Sequence, residues 1–447
     1  MSWLGAGQPE YLMSHIDTSI TTLGAALYTS PLHAEHTGCG WAGPFVGDGV
    51  RVRQGTEVLG GEDAGRELVF EKAGPREKVF FNPKRTVAAV VTCGGLCPGL
   101  NNVIRSVFLE LYHNYGVRRV LGIRYGYAGL NPRVGEEPWA LTPDMVEDIH
   151  QEGGTLLGSS RGPQPIGVMV DYLVSRGVNI LFCVGGDGTL RGARELAEEA
   201  LKRGVRLAVV GIPKTIDNDV MYMTRTFGVS TAMAVASGVL ACAHAEAHSA
   251  YNGVGLVKIM GRHAGFVAAS ATLASQEVNF CLIPEVRFGL GGRNGFLGAL
   301  ERRLKSRKHA VVAVAEGAGQ DLLEADGGGL DASGNRRLGD IGIFLKERIV
   351  GGMKRRRVPV DVKYFDPSYL VRSVPANPDD AILCDDLARR AVHAGMAGKT
   401  NLVVGFLNGT YVHVPIGLAV SEKRQVDPEG PLWNSVLAST GQPRRMV

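Results

Sequence analysis

No apolar run in this sequence approaches the roughly 18 residues needed to cross a bilayer, so a membrane-spanning reading is set aside. The stretch MSWLGAGQPEYLMSHID at the start lacks a basic region followed by a hydrophobic core and does not read as a secretory leader. Arg444 to Val447 match no peroxisomal address. Cysteine is scarce, with seven residues, an odd count, placed mostly inside apolar runs such as those around Cys183, Cys242 and Cys281. That usage reads as reduced, buried thiols in a cytoplasmic protein and speaks against a disulfide framework. Cys93 and Cys97 have no second cysteine pair to complete a zinc site. No repeat of solenoid period is present. Excess charge is small, +4 with a pI near 8.6, which fits small anionic substrates better than nucleic acid.

What remains is an ordinary globular composition, 45% hydrophobic and 21% charged, with 447 residues, enough for about two to three domains. The 61 glycines are dispersed, which favours tight turns and phosphate loops over low-complexity sequence. Residues 1–83 have weak periodicity and no strand–helix unit, and read as an N-terminal extension packing on the body or on a partner subunit. From Thr86 the pattern changes. Thr86 to Cys93 (TVAAVVTC) is a continuous β-branched run, as expected of a parallel strand covered on both faces. A glycine turn follows, and then Ile104, Val107, Phe108 and Leu111 form the stripe of an amphipathic helix. The unit recurs as a strand over Val178 to Val184, a turn over Gly185 to Gly188 and a helix near Leu190 to Arg203. Repeated units of this kind predict an α/β fold of doubly wound, parallel-rich sheets with ligands at the carboxyl ends of the strands. A second series follows, with a long helix over Ser230–Ser249 and strands over Gly253–Ile259, His309–Ala315, Val358–Lys363 and Leu402–Phe406. Helices are expected over Ile341–Val350 and Asp379–Ala397, and surface loops over Gly289–Gly298 and Glu324–Gly339. The chain is therefore read as an extension (1–83), a first lobe (84–228) to which later segments return, a second lobe (229–400) and a C-terminal segment (401–447).

Three turns carry chemistry. Gly94-Gly95 with Pro98-Gly99, ahead of a helix, reads equally as a phosphate loop and as an ordinary strand–helix turn. Gly185-Gly186-Asp187-Gly188-Thr189 is more specific, because Asp187 stands where a carboxylate could hold Mg²⁺ between phosphates. Pro213-Lys214-Thr215-Ile216-Asp217-Asn218-Asp219 is the sharpest. Two acids two residues apart in an extended loop face one side, so one can take a proton with the other in support, beside the cation Lys214. Together the turns point to phosphoryl transfer. His244 and His248 lie at i, i+4, but Glu246 falls on the other face, which favours a structural role. The run Lys354 to Arg357 reads as a solvated helix end suited to the helix dipole, with anion binding as the alternative.

The residues resemble the 6-phosphofructokinase family over roughly Arg85 to Pro415. The motifs that carry the likeness are GGLCPGLN (94–101), GIRYGYAGL (122–130), GGTLLGSSRG (153–162), GGDGT (185–189), PKTIDND (213–219), MGR (260–262), AEG (315–317) and YLVR (369–372). The spelling of PKTIDND and the N-terminal extension look like the atypical ATP-dependent branch, similar to plant and trypanosomatid enzymes. The resemblance implies two Rossmann-like lobes, a nucleotide-binding one (84–228, with later segments returning to it) and a sugar-phosphate-binding one (229–400), and ATP-dependent phosphorylation of fructose 6-phosphate at its 1-hydroxyl, with Mg²⁺. It implies that Gly95, Arg161, Gly162, Gly186, Asp187, Gly188 and Thr189 contact the nucleotide phosphates, with Tyr127 nearby and Asp187 on the metal. Asp217 would be the general base, with Lys214 and Thr215 at the transferred group. Met260, Gly261, Arg262 and Glu316 would hold the sugar. Tyr369 and Arg372 would hold its 6-phosphate, with Lys363 reaching in from a neighbouring subunit. A cytoplasmic, allosteric homodimer or homotetramer is implied, with no nucleic-acid or membrane partner.

The sequence departs from the bacterial allosteric pattern. GGLCPG lacks an acid after its glycines, Tyr369 stands where a histidine is expected, and Gly253 stands where an arginine is expected, leaving Lys214 as the substitute cation. Pyrophosphate-dependent relatives carry Asp at the position of Gly188 and Lys at the position of Lys214, so these two residues point to opposite donors. Gly188 decides for ATP, because an aspartate there would intrude on the α-phosphate, whereas a lysine serves either donor. NAD and diacylglycerol kinases share the GGDGT turn but not the sugar-side motifs. A non-catalytic regulatory subunit would be expected to lack Asp187 or Asp217.

Overall fold

In the computed structural model, residues 16–33, 44–56, 68–323, 329 and 337–446 are described. They form two compact units: 1–215, 220–228 and 374–422 make the first, and 216–219, 229–373 and 423–447 the second.

The first unit is built on a nine-stranded sheet. Its centre is five parallel strands in the spatial order Leu402–Leu407, Ala208–Pro213, Ile180–Gly185, Val87–Thr92 and Arg119–Ile123. Val87–Thr92, Ile180–Gly185 and Ala208–Pro213 are buried at every position, which is why they read as unbroken apolar runs. Ala89, Val91, Leu181, Cys183 and Val209 share a core with the helices Ile166–Ser175 and Asp187–Lys202. On the other face Ile180 and Phe182 meet Gly395 of the helix Pro378–Met396, which packs against Leu100–Leu109. The strand order reverses between Val87–Thr92 and Ile180–Gly185, the arrangement that opens a crevice at the carboxyl ends.

Segments late in the chain are shared out, with 374–422 in the first unit and 423–447 in the second. The helix Pro378–Met396 covers the large sheet, and Leu402–Leu407 extends it by pairing with Ala208–Pro213. The N-terminal extension is also partly built into that sheet. Val69–Lys72 pairs antiparallel with Thr410–Pro415, and Arg51–Arg53 pairs with Val69–Lys72. The join is held by buried charge: Glu71 accepts from His413 Nδ1 at 2.8 Å and from Arg76 at 2.8 Å, with Lys399 3.0 Å away.

The second unit holds a four-stranded parallel sheet in the order Phe280–Leu282, His309–Ala315, Gly253–Ile259, Asp361–Phe365. The helix Val229–Ser249 packs on Gly253–Ile259, His309–Ala315 and the helix Phe266–Ser275. It is an exception to the expectation about apolar runs, being long and apolar enough by length and composition to cross a membrane. Its alanines supply that hydropathy while packing against the sheet, with Ala243 and Ala247 fully buried against Gly255 and Gly253. The loop expected over Gly289–Gly298 ends earlier, because buried Phe296 and Leu297 open the helix Phe296–Arg307. Most of the loop expected over Glu324–Gly339 lies outside the described residues. The helix Ile341–Arg355 carries Lys354 and Arg355 in its last turn, where cations suit the dipole.

Candidate functional site

In the first unit the chemistry sits at the carboxyl ends of three neighbouring strands. Thr92 is level with Val184, and Gly185 with Pro213, so the turns that follow emerge side by side. Gly185 must be glycine, since a Cβ would fall 2.1 Å from Thr189 Oγ1. Gly186 caps the helix Asp187–Lys202 with extended backbone, placing Asp187, Gly188 and Thr189 in the first turn, where backbone N–H groups and the dipole favour anions. Lys214 is buried, and its ammonium donates to the carbonyl of Gly95 at 2.6 Å, tying the third turn to the first. Gly94 lies in the left-handed region at φ 85° and donates to Ser160 O at 3.1 Å, while Ser159 Oγ donates to Gly94 O at 2.6 Å. These bonds bring the GGTLLGSSRG segment, with exposed Arg161 and Gly162, beside the glycine turns. Thr215 accepts from Thr226 Oγ1 at 2.8 Å through its carbonyl.

Tyr127 does not stand at this surface. It is buried in the core, its hydroxyl donates to Thr189 O at 2.7 Å, and its ring fills the space left by Gly192. Its place is behind the first helical turn, which it holds.

Asp187 is partly exposed and its carboxylate faces Arg191 at 3.1 Å, one turn on. Among the described residues no group of three or more His, Cys, Asp and Glu side chains is arranged to hold a metal. One accessible carboxylate at a helix N-terminus fits a Mg²⁺ ion that draws its other ligands from phosphates and water. His244 and His248 pack their rings 5.7 Å apart, with His309 at 5.3 and 5.0 Å from them.

The second unit gathers Asp217, Asp219 and the residues of the MGR, AEG and YLVR segments. Ile259 is level with Ala315, so the MGR and AEG turns lie together: Glu316 N donates to Ile259 O at 2.8 Å and Gly317 N to Gly261 O at 3.1 Å. Gly261 takes φ 136°, and a Cβ there would meet Ala264 O at 2.6 Å. Burial pushes the Glu316 carboxyl up, and Arg262, Lys258 and Arg372 draw it back. Burial, then Asp219 and Glu316, push Asp217 up to about 7, while Lys423 and the Arg262 backbone oppose them. Met260 sits on the turn before Arg262. Arg372 stacks over Tyr369, its guanidinium carbon 4.6 Å from the ring centroid, with Tyr369 exposed. Lys363 stands apart from this group. It pairs with Asp361 at 3.2 Å, beside Gly255, on the sheet face opposite Lys258.

Two cations here are missing from the sequence reading. Lys258 is clasped by Asp340 at 2.9 Å and Asp366 at 2.8 Å. Lys423 lies 2.7 Å from Asp219 Oδ2. Neither belongs to a local motif, although Lys258 stands two residues before MGR.

A family model described as phosphofructokinase matches residues 87–395. An ATP-dependent 6-phosphofructokinase of Borreliella burgdorferi is 45% identical over 441 residues, covering 97% of this chain and 98% of that protein. One from Trypanosoma cruzi is 48% identical over 372 residues, covering 83% of this chain and 76% of that protein. Among solved structures, a pyrophosphate-dependent phosphofructokinase from Marinobacter aquaeolei superposes with a TM-score of 0.66 at 18% identity, covering 79% of this chain and 91% of that one, a likeness of fold.

Proposed function

The chain belongs to the phosphofructokinase family, and on that premise we propose how its residues carry out the reaction. It is a kinase that transfers the γ-phosphoryl group of ATP to the 1-hydroxyl of D-fructose 6-phosphate, giving fructose 1,6-bisphosphate and ADP in glycolysis.

A sugar hydroxyl is a weak nucleophile, so a carboxylate accepts its proton as the bond to phosphorus forms. Asp217 takes that role. The observation that carries the assignment is its burial beside Asp219 and Glu316, which raises its proton affinity to about 7, close to the working pH of a general base. Gly95, Arg161, Gly162, Gly186, Gly188 and Thr189 hold the donor phosphates, and buried Lys214 places a positive charge beside Thr215, where the transferred oxygens gather. Mg²⁺, when bound, neutralises phosphate charge, and Asp187 is the side chain that would hold it. Met260, Gly261, Arg262 and Glu316 bind the sugar ring, and Arg372 with Tyr369 its 6-phosphate. Lys363 serves the 6-phosphate of a neighbouring copy in a homodimer or homotetramer, which would explain why it pairs away from Arg372 in its own chain. We place the enzyme in the cytoplasm, under allosteric control.

The test is purified protein with fructose 6-phosphate and either donor, alongside Asp217→Ala. ATP is expected to support turnover and pyrophosphate not to. Asp217→Ala should lose about 10²–10⁴-fold in kcat, the usual worth of a general base, with sugar-phosphate binding retained in calorimetry. Turnover with pyrophosphate alone, or an active Asp217→Ala, overturns the reading.

A further inference from the structure

We propose that Lys423 is a positioning residue of the proton-transfer step: its ammonium, clamped on Asp219, sets the charge of the carboxylate pair from which Asp217 acts. The proposal rests on the reading of Asp217 as the base.

Asp219 is buried and Asp217 Oδ1 is shut off from solvent, with Glu316 as a third negative neighbour. Three carboxylates sharing so little water would take up a proton unless a cation answered them. Lys423 answers them directly, with Nζ 2.7 Å from Asp219 Oδ2 and its side chain two-thirds buried. The next residue fixes the backbone as well, because Arg424 N donates to Asp219 O at 3.0 Å. Lys423 is thus tied to the acid loop through charge and main chain together. Its segment is anchored further on, where Arg424 stacks over Phe266 and Gln425 Nε2 donates to His263 O at 3.0 Å.

Other charged groups stand around the pair. Arg262 offers Asp217 its backbone and directs its charge to Glu316. Lys258 and Arg372 also bear on Glu316, with Asp366 opposing them. Arg424 is a cation packed on an aromatic ring, where burial alone pulls it down to about 10. Lys423 pairs with Asp219 and also favours ionised Asp217. With it in place the base stays ionised for more of the neutral range, and the Asp219 carboxylate is fixed beside it.

The experiment is the pH profile of kcat/KM in Lys423→Met, with Lys423→Arg as the conservative variant and thermal melting as the check on folding. Losing the cation should move the acidic limb about one pH unit upward, a tenfold loss on its acid side. Activity should return to within about threefold of the parent above the displaced limb, since there Asp217 is ionised in both proteins. Lys423→Arg should restore the parental limb. If Lys423→Met does not fold, Asp219→Asn is read instead, and its limb should move to lower pH because a negative neighbour has gone while Lys423 remains. An unmoved limb, or a loss in folded protein that persists at high pH, overturns the role of Lys423. Activity surviving in Asp217→Ala overturns the base assignment itself, and the proposal with it.

Discussion

Gly185 and Gly188 lie three residues apart in one turn and are glycines for different reasons. Gly185 is needed by the fold, because a Cβ would collide with Thr189. Gly188 is not, because nothing lies within 4 Å of where its Cβ would be. It occupies the second position of the helix Asp187–Lys202, where an acidic side chain interacts favourably with the dipole by about 0.3–1 kcal/mol. Gly188→Asp should therefore fold with an unchanged or slightly raised melting temperature. It should nevertheless lose ATP turnover by at least about 100-fold, since the carboxylate brings volume and negative charge to the turn proposed to receive the nucleotide phosphates. Gly185→Ala should do the reverse and lower the melting temperature first. Melting curves and ATP kinetics on the two variants decide this, and full activity with ATP in a folded Gly188→Asp would remove the steric basis for donor choice.

The elements that build the two sheets show what local pattern encodes. Strands buried on both faces announce themselves as unbroken apolar runs, so Gly253–Ile259 and His309–Ala315 are legible to the residue, as are the glycine turns that end the strands of the first unit. Pairings between distant segments are not, because Val69–Lys72 is four residues long and its partner lies more than 300 positions away. The contact of Tyr127 with the Thr189 carbonyl is not legible either, because a tyrosine inside a motif looks the same whether its hydroxyl meets a ligand or a backbone carbonyl. Lys258 is illegible for a related reason, since its partners come from a helix cap and from the end of another strand. Asp340 caps the helix Ile341–Arg355 by accepting from Gly342 N and Ile343 N, and Asp366 accepts from Ser368 N at the start of the turn that carries Tyr369 and Arg372. Lys258 thus joins a helix start to the loop proposed to hold the 6-phosphate. Lys258→Met should cost about 1–3 kcal/mol in urea unfolding, because two carboxylates lose their shared cation. It should also raise KM for fructose 6-phosphate more than KM for ATP. Equal changes in both constants would show that the clasp does not serve the loop.

At the scale of the molecule, buried charge makes stability depend on pH, with opposite signs in the two units. In the first unit His393 is buried, hydrogen-bonded to Tyr115 at 2.8 Å and surrounded by Arg390, Arg389 and Arg76, and burial first and then these cations hold it down to about 3. The unfolded chain takes a proton below about 6.5 that the folded chain refuses until about 3, so folded stability falls as pH drops through that window. Glu71 adds to the loss lower down. It stays ionised to about 2 despite burial because His413 and Lys399 answer it, so its contribution is complete above its unfolded value near 4.5 and disappears as pH falls toward 2. In the second unit Asp217 runs the other way. Its raised proton affinity means that the folded state holds a proton the unfolded state releases, so its contribution is lost as pH rises from about 4 toward 7. The contributions separate by mutation. His393→Gln, which keeps a partner for Tyr115 without a group that titrates, should flatten the decline in unfolding free energy between pH 6.5 and 4.5, a slope that one such group sets at up to about 1.4 kcal/mol per pH unit. Asp217→Asn should instead steepen the decline on acidification, because it removes the opposing term. Denaturant unfolding at pH 7, 6, 5 and 4.5 on the parent and both variants reads this directly, and parallel curves for parent and His393→Gln would refute a neutral buried imidazole as the source of acid sensitivity.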